Sequence, residues 1–160
     1  MLLESLEIRE IKNKQYPFNL LLLADETVEA IEKYLYESRV YSAWKDQEEI
    51  AVFCLYSVTD ETLEIKNIAV STPYQGKHIG QWLINKIKAI AKQQDYKTLL
   101  VGTSDTGEAQ IRFYQRNGFV YYDKRKNFFI EHYPAPIFEN GKQMIDMILL
   151  KWEIEMSGEK

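Results

Sequence analysis

The chain has 160 residues, with 20 Lys and Arg against 24 Asp and Glu, and a formal net charge of -4. This length fits one domain over residues 1–160, with a core large enough to fold without disulfides or a structural metal. The acidic balance argues against nucleic-acid binding, which needs an excess of basic residues. The single cysteine excludes an internal disulfide and a cysteine zinc cluster.

Membrane attachment and export are not expected either. The most apolar early run, residues 20–24, is far shorter than the roughly 20 residues that a spanning helix needs. The amino-terminal residues lack the basic start of an export signal. We therefore predict a cytoplasmic protein without membrane contact. Cys54 lies in the apolar run 50–56 and is interpreted as a buried hydrophobic residue rather than a nucleophile.

The first half of the chain predicts one helical segment followed by an antiparallel meander. The run 17–24 is too short and apolar to assign by periodicity. In chain order, the predicted elements are a strand at 6–11, a helix that Thr27 caps and that extends to about Glu37, and strands at 40–44, 50–58 and 62–70.

The second half alternates helices and strands. Asp105 and Glu108 resemble a capping box, and Asn117-Gly118 would end the helix that they begin. The predicted elements are a helix from Ile79, a strand at 98–101, a helix up to 117, strands at 119–122 and 145–154, and a mostly irregular segment at 124–143. The fold class is α/β (α+β), with a single mixed, mostly antiparallel central sheet flanked by helices. The connection from Val70 to Val101 is expected to join parallel strands.

Residues 68–80 carry the most informative pattern. A strand ends near Val70, and a turn that contains Gly76 and Gly80 leads directly into a helix. The glycines let the backbone approach a ligand closely, and the unpaired N–H groups of the helix start suit an anion such as a pyrophosphate, with Lys77 as a charge contact. Glycines are also common in ordinary turns, and the segment is neither a P-loop nor a dinucleotide-binding fingerprint.

At this turn the sequence resembles the GNAT superfamily of acyl-CoA-dependent N-acetyltransferases. The family signature, Gln/Arg-x-x-Gly-x-Gly/Ala after a strand that often ends Ile-Ala-Val, matches at Gln75 and Gly80, with His78 in place of the central glycine. A second signature follows as Phe113-Tyr114 and Gly118-Phe119. Gly107 stands where the family often has a cofactor-binding Asn, so that contact is not expected here. The resemblance spans residues 6–154.

The resemblance implies a GNAT-like fold and acetyl-CoA as the acetyl donor. The pantetheine arm of coenzyme A would pair with the main chain of Ile68, Ala69 and Val70, and a backbone N–H near Ala69 or Val70 would polarise the acetyl carbonyl. The pyrophosphate would contact the N–H groups of the turn. The turn residues concerned are Gln75, Gly76, Lys77, His78, Ile79 and Gly80.

The resemblance also implies roles for three side chains. Tyr114 matches the family's tyrosine acid, which protonates the departing thiolate and also contacts coenzyme A. Glu64, on the strand beside the acyl group, is the candidate base that deprotonates the amine, although a solvent-facing carboxylate fits its position equally well. Asn67 is a candidate for positioning water or substrate.

The expected function is therefore transfer of an acetyl group from acetyl-CoA to a primary amine of a small molecule or peptide by direct attack. The net negative charge favours a cationic small amine, such as a polyamine or aminoglycoside, and a protein amino terminus or an amino acid stays open as the acceptor. Two alternatives stay open: a catalytically silent acyl-CoA-binding or sensing module, and an unrelated nucleotide-binding protein.

The two histidines, the aromatic segment and the oligomeric state complete the predictions from the sequence. His78 is interpreted as a neighbour of the cofactor, and no metal site is expected from two distant histidines. The aromatic segment that contains His132 is either part of the acceptor pocket or an interface or core plug. A homodimer is a further expectation, from the aromatic content of 13% and the late strands.

Overall fold

The computed structural model describes residues 2–155, which form a seven-stranded sheet with helices on both faces. The strands are β1 (Leu6–Glu10), β2 (Arg39–Lys45), β3 (Glu48–Ser57), β4 (Thr62–Val70), β5 (Thr98–Ser104), β6 (Val120–Arg125), the short β7 (Phe138–Glu139) and β8 (Lys142–Gln143), and β9 (Met147–Glu153). The helices are α1 (Phe18–Leu21), α2 (Val28–Glu32), α3 (Ile79–Gln93), α4 (Glu108–Arg116) and α5 (Phe128–Glu131). Short 3-10 turns lie at Leu3–Ser5, Leu35–Glu37 and Thr72–Tyr74.

The sheet order is β1-β2-β3-β4-β5-β9-β6, with β7 and β8 forming a separate hairpin. Within the described residues, β4 and β5 are the parallel pair and all other neighbours are antiparallel. This arrangement confirms the predicted mixed, mostly antiparallel sheet and the parallel connection through α3. No helix within residues 2–155 has the length and apolarity to cross a membrane.

The first helical segment is shorter than predicted. Thr27 caps α2 as expected, because its Oγ1 accepts a hydrogen bond from the N–H of Ala30 at 3.0 Å. The helix nevertheless ends at Glu32, not near Glu37, since the backbone leaves the helical conformation at Tyr34 with φ at -127°. The chain then passes through a 3-10 turn into β2, and the unassigned run before Thr27 forms α1.

The capping box predicted at Asp105 and Glu108 is wrong. Gly107 precedes α4 without a side-chain hydrogen bond to the helix. The carboxylate of Asp105 instead accepts the N–H of Ile145 at 3.1 Å, which ties the end of β5 to the chain entering β9. The predicted helix end is confirmed, because Gly118 adopts the left-handed conformation at φ +92°.

The segment 124–143 is more regular than predicted. β6 continues to Arg125, α5 follows, and β7 and β8 form a hairpin. Asn140 and Gly141 make its two-residue turn with φ angles of +54° and +77°, as this dipeptide favours. The strand at 98–101 is also longer than predicted, because β5 extends to Ser104 and pairs with β9 along its whole length.

The apolar core has two parts, one on each face of the sheet. On one face, α3 packs against the inner strands through side chains such as Leu83 and Ile87. On the other face, α1 and α2 cover Val52 and Cys54. Cys54 is fully buried, and burial raises the pKa of its thiol to about 12. Its interpretation as a core residue is therefore confirmed.

β4 contains the irregularity that shapes the site. Its register against β3 skips one residue, since Ile65 pairs with Leu55 and Asn67 with Cys54, which leaves Lys66 as the extra residue of a β-bulge. The parallel pairing with β5 ends at the same place, with Ile65 opposite Val101. Beyond this point the two strands separate.

Candidate active site

The separation of the two strands opens a groove, here called the strand cleft, between residues 66–70 of β4 and 102–104 of β5. The cleft has a volume of about 510 Å³. Ile68, Ala69 and Val70 line it, and their main chain has no pairing with β5. An extended ligand can therefore hydrogen-bond to this free strand edge, as an added strand would.

The turn that leads into α3 forms a second concavity, the anion cradle. The first N–H groups of α3, from Ile79 onward, have no partner within the helix and carry the positive end of the helix dipole. The residues around the cradle are Val70, Tyr74, Gln75, Gly76, His78, Ile79, Gly80, Gln81, Phe113, Arg116 and Asn117. Arg116 is a cation at the cradle that the sequence reasoning missed, whereas the exposed Lys77 is not among the lining residues.

Gln75 holds the turn rather than offering its amide to an anion. Its N–H donates to the carbonyl of Thr72 at 3.2 Å, and its side-chain Nε2 donates to the carbonyl of Val70 at 2.9 Å. The N–H of Gln75 is thus already bonded within the turn, and its contact with a pyrophosphate stays a prediction. The amide that opens the cradle is that of Gly76.

The two glycines and His78 have different structural requirements. Gly76 has φ +77° with open space around it, so its backbone conformation is what requires glycine. A Cβ on Gly80 would lie 3.3 Å from Cζ of Phe113, so this glycine allows α3 and α4 to pack closely as well as lining the cradle. His78 adopts φ +66° despite its Cβ, and it does so without a side-chain hydrogen bond to the helix. The cradle is thus formed with a strained residue at its centre.

Tyr114, on α4, also lines the strand cleft. Its ring packs edge-to-face against Phe113 and Phe119, with centroid distances of 5.2 and 5.6 Å. The side chain is 6% exposed, and burial raises the pKa of its phenol above the usual value of 10.0. The hydroxyl therefore keeps its proton at neutral pH and remains a hydrogen-bond donor.

A third concavity, the side pocket, adjoins the strand cleft and has a volume of about 320 Å³. Its lining residues are Asp25, Ala30, Lys33, Tyr34, Glu64, Ile65, Lys66, Gly102, Arg125, Phe128, His132, Tyr133 and Met147. Asp25, Lys66 and Tyr133 line both concavities, so the two are continuous.

Glu64 is in the side pocket and is not a solvent-facing carboxylate. The residue is 3% exposed. Its Oε1 lies 3.3 Å from Nζ of Lys66 and 3.7 Å from Nη2 of Arg125, so two cations balance its charge. Glu64 does not line the strand cleft.

Asp25 is the residue that the sequence reasoning missed most clearly. Its Oδ2 accepts the hydroxyl of Tyr34 at 3.0 Å, and its Oδ1 accepts the hydroxyl of Tyr133 at 2.6 Å. Burial, together with the charge of Asp25, raises the pKa of both tyrosines, so both hydroxyls remain donors. No motif or spacing marks Asp25, because its partners are distant in the sequence.

Asn67 extends the hydrogen-bond network of Asp25 through its contact with Tyr34. Its Nδ2 donates to the hydroxyl of Tyr34 and to the carbonyl of Leu21, each at 3.1 Å. Its Oδ1 is buried and has no hydrogen-bond partner among residues 2–155. Asn67 donates to the hydroxyl of Tyr34, and this hydroxyl in turn donates to Asp25, so Asn67 fixes the orientation of the Tyr34 hydroxyl.

The aromatic segment around α5 forms a wall of the side pocket. Phe128 stacks on His132 with a centroid distance of 4.3 Å, and Phe129 stacks on Tyr133 at 5.8 Å. Phe128, His132 and Tyr133 line the side pocket, whereas Phe129 is buried, so the segment has both pocket-lining and core residues. Residues 2–155 contain no group of three or more His, Cys, Asp or Glu side chains placed to hold a metal ion.

The strand cleft and the anion cradle fit coenzyme A. The free edge of β4 suits the amide-containing pantetheine arm, the amides at the start of α3 suit the diphosphate, and the phenol of Tyr114 lies in the same cleft. These features define the class of acyl-CoA-dependent acyltransferases.

Comparisons with known proteins agree with this class. Residues 5–119 match the profile of the acetyltransferase (GNAT) family. The chain is 35% identical over 145 residues to an uncharacterized N-acetyltransferase of Bacillus subtilis (strain 168), YvbK, which covers 91% of this chain and 93% of that protein. The crystal structure of a GNAT family acetyltransferase from Elizabethkingia anophelis with acetyl-CoA bound has a TM-score of 0.90 and 41% identity, covering 94% of this chain and 99% of that one. An acetyltransferase from Bacillus subtilis in complex with CoA has a TM-score of 0.83 and 34% identity, covering 94% and 99%.

The chain therefore belongs to the GNAT family of acetyltransferases. It is an acyl-CoA-dependent enzyme whose acetyl donor is acetyl-CoA. The resemblance drawn from the two sequence signatures is confirmed, and the silent binding module and the unrelated nucleotide-binding protein are set aside.

Proposed function

We propose that the protein acetylates the primary amine of a small molecule, which enters through the side pocket and attacks the donor directly. The observation that carries this proposal is the position of Asp25, whose carboxylate lines both the side pocket and the strand cleft. An amine bound to this carboxylate lies where the two concavities meet. No residue of the chain needs to carry the acetyl group.

Coenzyme A is proposed to bind along the strand cleft. The main chain of Ile68, Ala69 and Val70 holds the pantetheine arm, and the amides of Gly76 to Gly80 hold the diphosphate, with Arg116 close to the cradle. When bound, acetyl-CoA supplies a thioester whose carbonyl a neutral amine attacks and from which the thiolate departs. A backbone N–H near Ala69 or Val70 polarises that carbonyl.

The amine must lose a proton before it attacks, because an alkylammonium group has a pKa of roughly 10. We propose Asp25 as the carboxylate that takes this proton, directly or through water. Glu64, the base suggested by the sequence, is the alternative. The support for Asp25 over Glu64 is that Asp25 lines the strand cleft and Glu64 does not, and that Lys66 and Arg125 already balance Glu64.

Tyr114 is proposed to donate its phenolic proton to the departing thiolate. Its position in the strand cleft supports this role, and the raised pKa that burial gives its phenol keeps the proton present before the thiolate departs. Asn67 is proposed as a positioning residue, because it reaches Asp25 through the hydroxyl of Tyr34 rather than through the cleft itself.

The test combines cofactor binding with turnover. Calorimetry of the purified protein with CoA and acetyl-CoA establishes that the strand cleft is functional. The protein is then incubated with acetyl-CoA and a panel of small primary amines, and free thiol and acetylated product are both measured. Product formation that saturates with one class of amine supports the proposal. Coenzyme binding with no acetylated amine across the panel contradicts it.

A homodimer is proposed through the edge strand β6. Its Val120, Tyr121 and Tyr122 are large side chains that are more than half exposed. Light scattering of the full chain and of Tyr121→Lys tests this, with a dimer that the substitution dissociates as the expected result.

A further inference from the structure

The charges of the side pocket are divided between its two ends. At the end that opens into the strand cleft, Asp25 accepts hydrogen bonds from the two neutral tyrosine hydroxyls and from the N–H of Glu26 at 2.8 Å. No Lys or Arg of the described chain lies within ion-pair distance of its carboxylate. The negative charge of Asp25 is thus solvated by neutral donors and is free to bind a cation.

The other end of the side pocket, lined by Arg125 and Lys33, has an excess of positive charge, and Lys66 lies where the pocket meets the strand cleft. Lys66 and Arg125 share the single carboxylate of Glu64. Lys33 adds a third cation, and its Nζ donates to the neutral carbonyl of His132 at 3.1 Å. Arg125 and Lys33 line the side pocket but not the strand cleft. This end therefore has more cationic groups than the protein's own carboxylates neutralise.

A ligand that satisfies both ends carries opposite charges at its two ends. Its ammonium group pairs with Asp25, and its anionic group pairs with Arg125 and Lys66. In this orientation the amine faces the strand cleft, where the acetyl donor is delivered, and the anion stays in the side pocket. The opposite orientation places like charges together, which destabilises it.

We propose that the acceptor is a zwitterionic amine of the amino acid class, with a carboxylate that Arg125 and Lys66 recognise. This inference rests on the proposed function and specifies its substrate. It departs from the cationic polyamine or aminoglycoside that the net charge favoured, because recognition depends on the charges inside the pocket and net charge governs only the encounter. The volume of about 320 Å³ is at the small end for ligand sites and agrees with a small acceptor.

The apolar wall of the side pocket adds to this specificity. Phe128 and Met147 line the same concavity as the charged groups, and Phe128 is held in place by its stack on His132. An amino acid with an apolar or aromatic side chain buries that side chain against this wall, so such amino acids are expected to be better acceptors than glycine.

The first experiment compares matched pairs of acceptors that differ only in the carboxylate. Phenylalanine is compared with phenethylamine, histidine with histamine, and lysine with cadaverine, at a pH where each amine is equally neutral. We expect kcat/KM to be about 10- to 100-fold higher for the amino acid of at least one pair, as charged hydrogen bonds contribute. Equal or faster acetylation of the decarboxylated partner in every pair overturns the inference and leaves the proposed function intact. Coenzyme binding without acetylation of any compound overturns both.

The second experiment removes the carboxylate-binding charge. In Arg125→Gln, kcat/KM for the preferred amino acid is expected to fall about 10- to 100-fold, whereas kcat/KM for its decarboxylated partner stays within about twofold. Arg125→Lys keeps the charge and is expected to retain part of the discrimination. Lys92→Gln, an exposed cation on α3 outside the side pocket, is the matched control. A loss that is equal for both acceptors indicates a structural role for Arg125 and overturns the assignment.

Discussion

The hydroxyl of Tyr133 donates a 2.6 Å hydrogen bond to Oδ1 of Asp25, across 108 positions of the chain. With Tyr34 bound to Oδ2, both oxygens of the carboxylate are fixed in orientation. The loop before α2 is thereby tied to the segment after α5, and the side pocket exists only when both segments are in place. The geometry of Asp25 therefore depends on two tyrosines from other segments of the chain.

Replacing Tyr133 by Phe tests this dependence. The ring still stacks on Phe129, but Asp25 loses one of its donors, so we expect KM for the acceptor to rise about 5- to 30-fold, in keeping with the loss of a hydrogen bond to a charged group. Affinity for CoA, measured by calorimetry, stays the same. Tyr36→Phe is the control, because its hydroxyl binds the exposed Glu32 outside the site. An unchanged KM would show that Tyr34 alone positions Asp25.

The assignment of the base is tested by Asp25→Asn and Glu64→Gln. We expect Asp25→Asn to lower kcat at pH 7 by about 100-fold or more, since general base catalysis contributes this much, and to recover part of the loss at high pH, where the amine is already neutral. Glu64→Gln leaves Lys66 and Arg125 without their counter-ion and is expected to change KM for the acceptor more than kcat. The reverse result, with kcat lost in Glu64→Gln and kept in Asp25→Asn, restores Glu64 as the base.

Tyr114→Phe separates catalysis from coenzyme binding. The ring and its contacts with Phe113 and Phe119 remain, but the proton donor is lost, and kcat is expected to fall about 100-fold with the Kd for CoA nearly unchanged. Phe113→Leu, which alters packing in the same region without removing a proton donor, is the comparison. Full turnover by Tyr114→Phe would rule out the phenol as the acid.

The pH dependence of the reaction follows from the same phenol. Burial raises the pKa of Tyr114, so the protonated donor form persists above pH 10, where an ordinary phenol is half ionised. We expect kcat/KM to rise with pH as the acceptor amine loses its proton, with no descending limb below about pH 10. Initial rates in overlapping buffers measure this profile, and circular dichroism at each pH confirms that the protein stays folded. A decline that begins near pH 9 and is absent in Tyr114→Phe would show that the phenol ionises there, which would contradict the raised pKa of Tyr114.

His78 is expected to store backbone strain at the anion cradle. A residue with a Cβ at φ +66° costs about 1 kcal/mol or more relative to glycine, so His78→Gly is expected to raise the melting temperature by a few degrees and to keep CoA binding. His78→Val is expected to lower both the melting temperature and the affinity for CoA. Asp95→Gly, at an equivalent φ of +66° just beyond the C-terminal end of α3, is a matched control that changes stability alone. Weaker CoA binding in His78→Gly would instead indicate that the imidazole contacts the coenzyme.

The sequence predicted the strand, turn and helix of the proposed coenzyme site, because these elements are built from local patterns. The strand 62–70, the glycine turn and the amphipathic helix from Ile79 lie consecutively in the chain, and their periodicity and turn residues are sufficient to indicate the anion cradle. Even here the hydrogen bond from the Gln75 N–H to Thr72 was not predicted, since it depends on a 3-10 turn that no periodicity indicates.

The acceptor half could not be predicted in the same way. Asp25, Tyr34 and Arg125 come from three separate segments and meet only through tertiary packing. The failed capping box has the same origin, because the carboxylate of Asp105 binds the distant N–H of Ile145 rather than its own helix. Glu64 and the aromatic content of residues 128–133 were the sequence signals for this pocket, and the aromatic segment did not distinguish a pocket wall from an interface.

The extra residue at Lys66 has a consequence for how β4 tolerates change. Side chains alternate along a strand, and the bulge reverses this alternation, so that Glu64, Asn67 and Ala69 all face α1 and α2 opposite Tyr56, Cys54 and Val52. Deleting residue 66 would reverse which face of the sheet the following side chains of β4 point to. Ile68 and Val70 would then replace the polar network on the face that α1 and α2 cover. Relatives are thus expected to differ in this strand by substitutions and almost never by insertions or deletions.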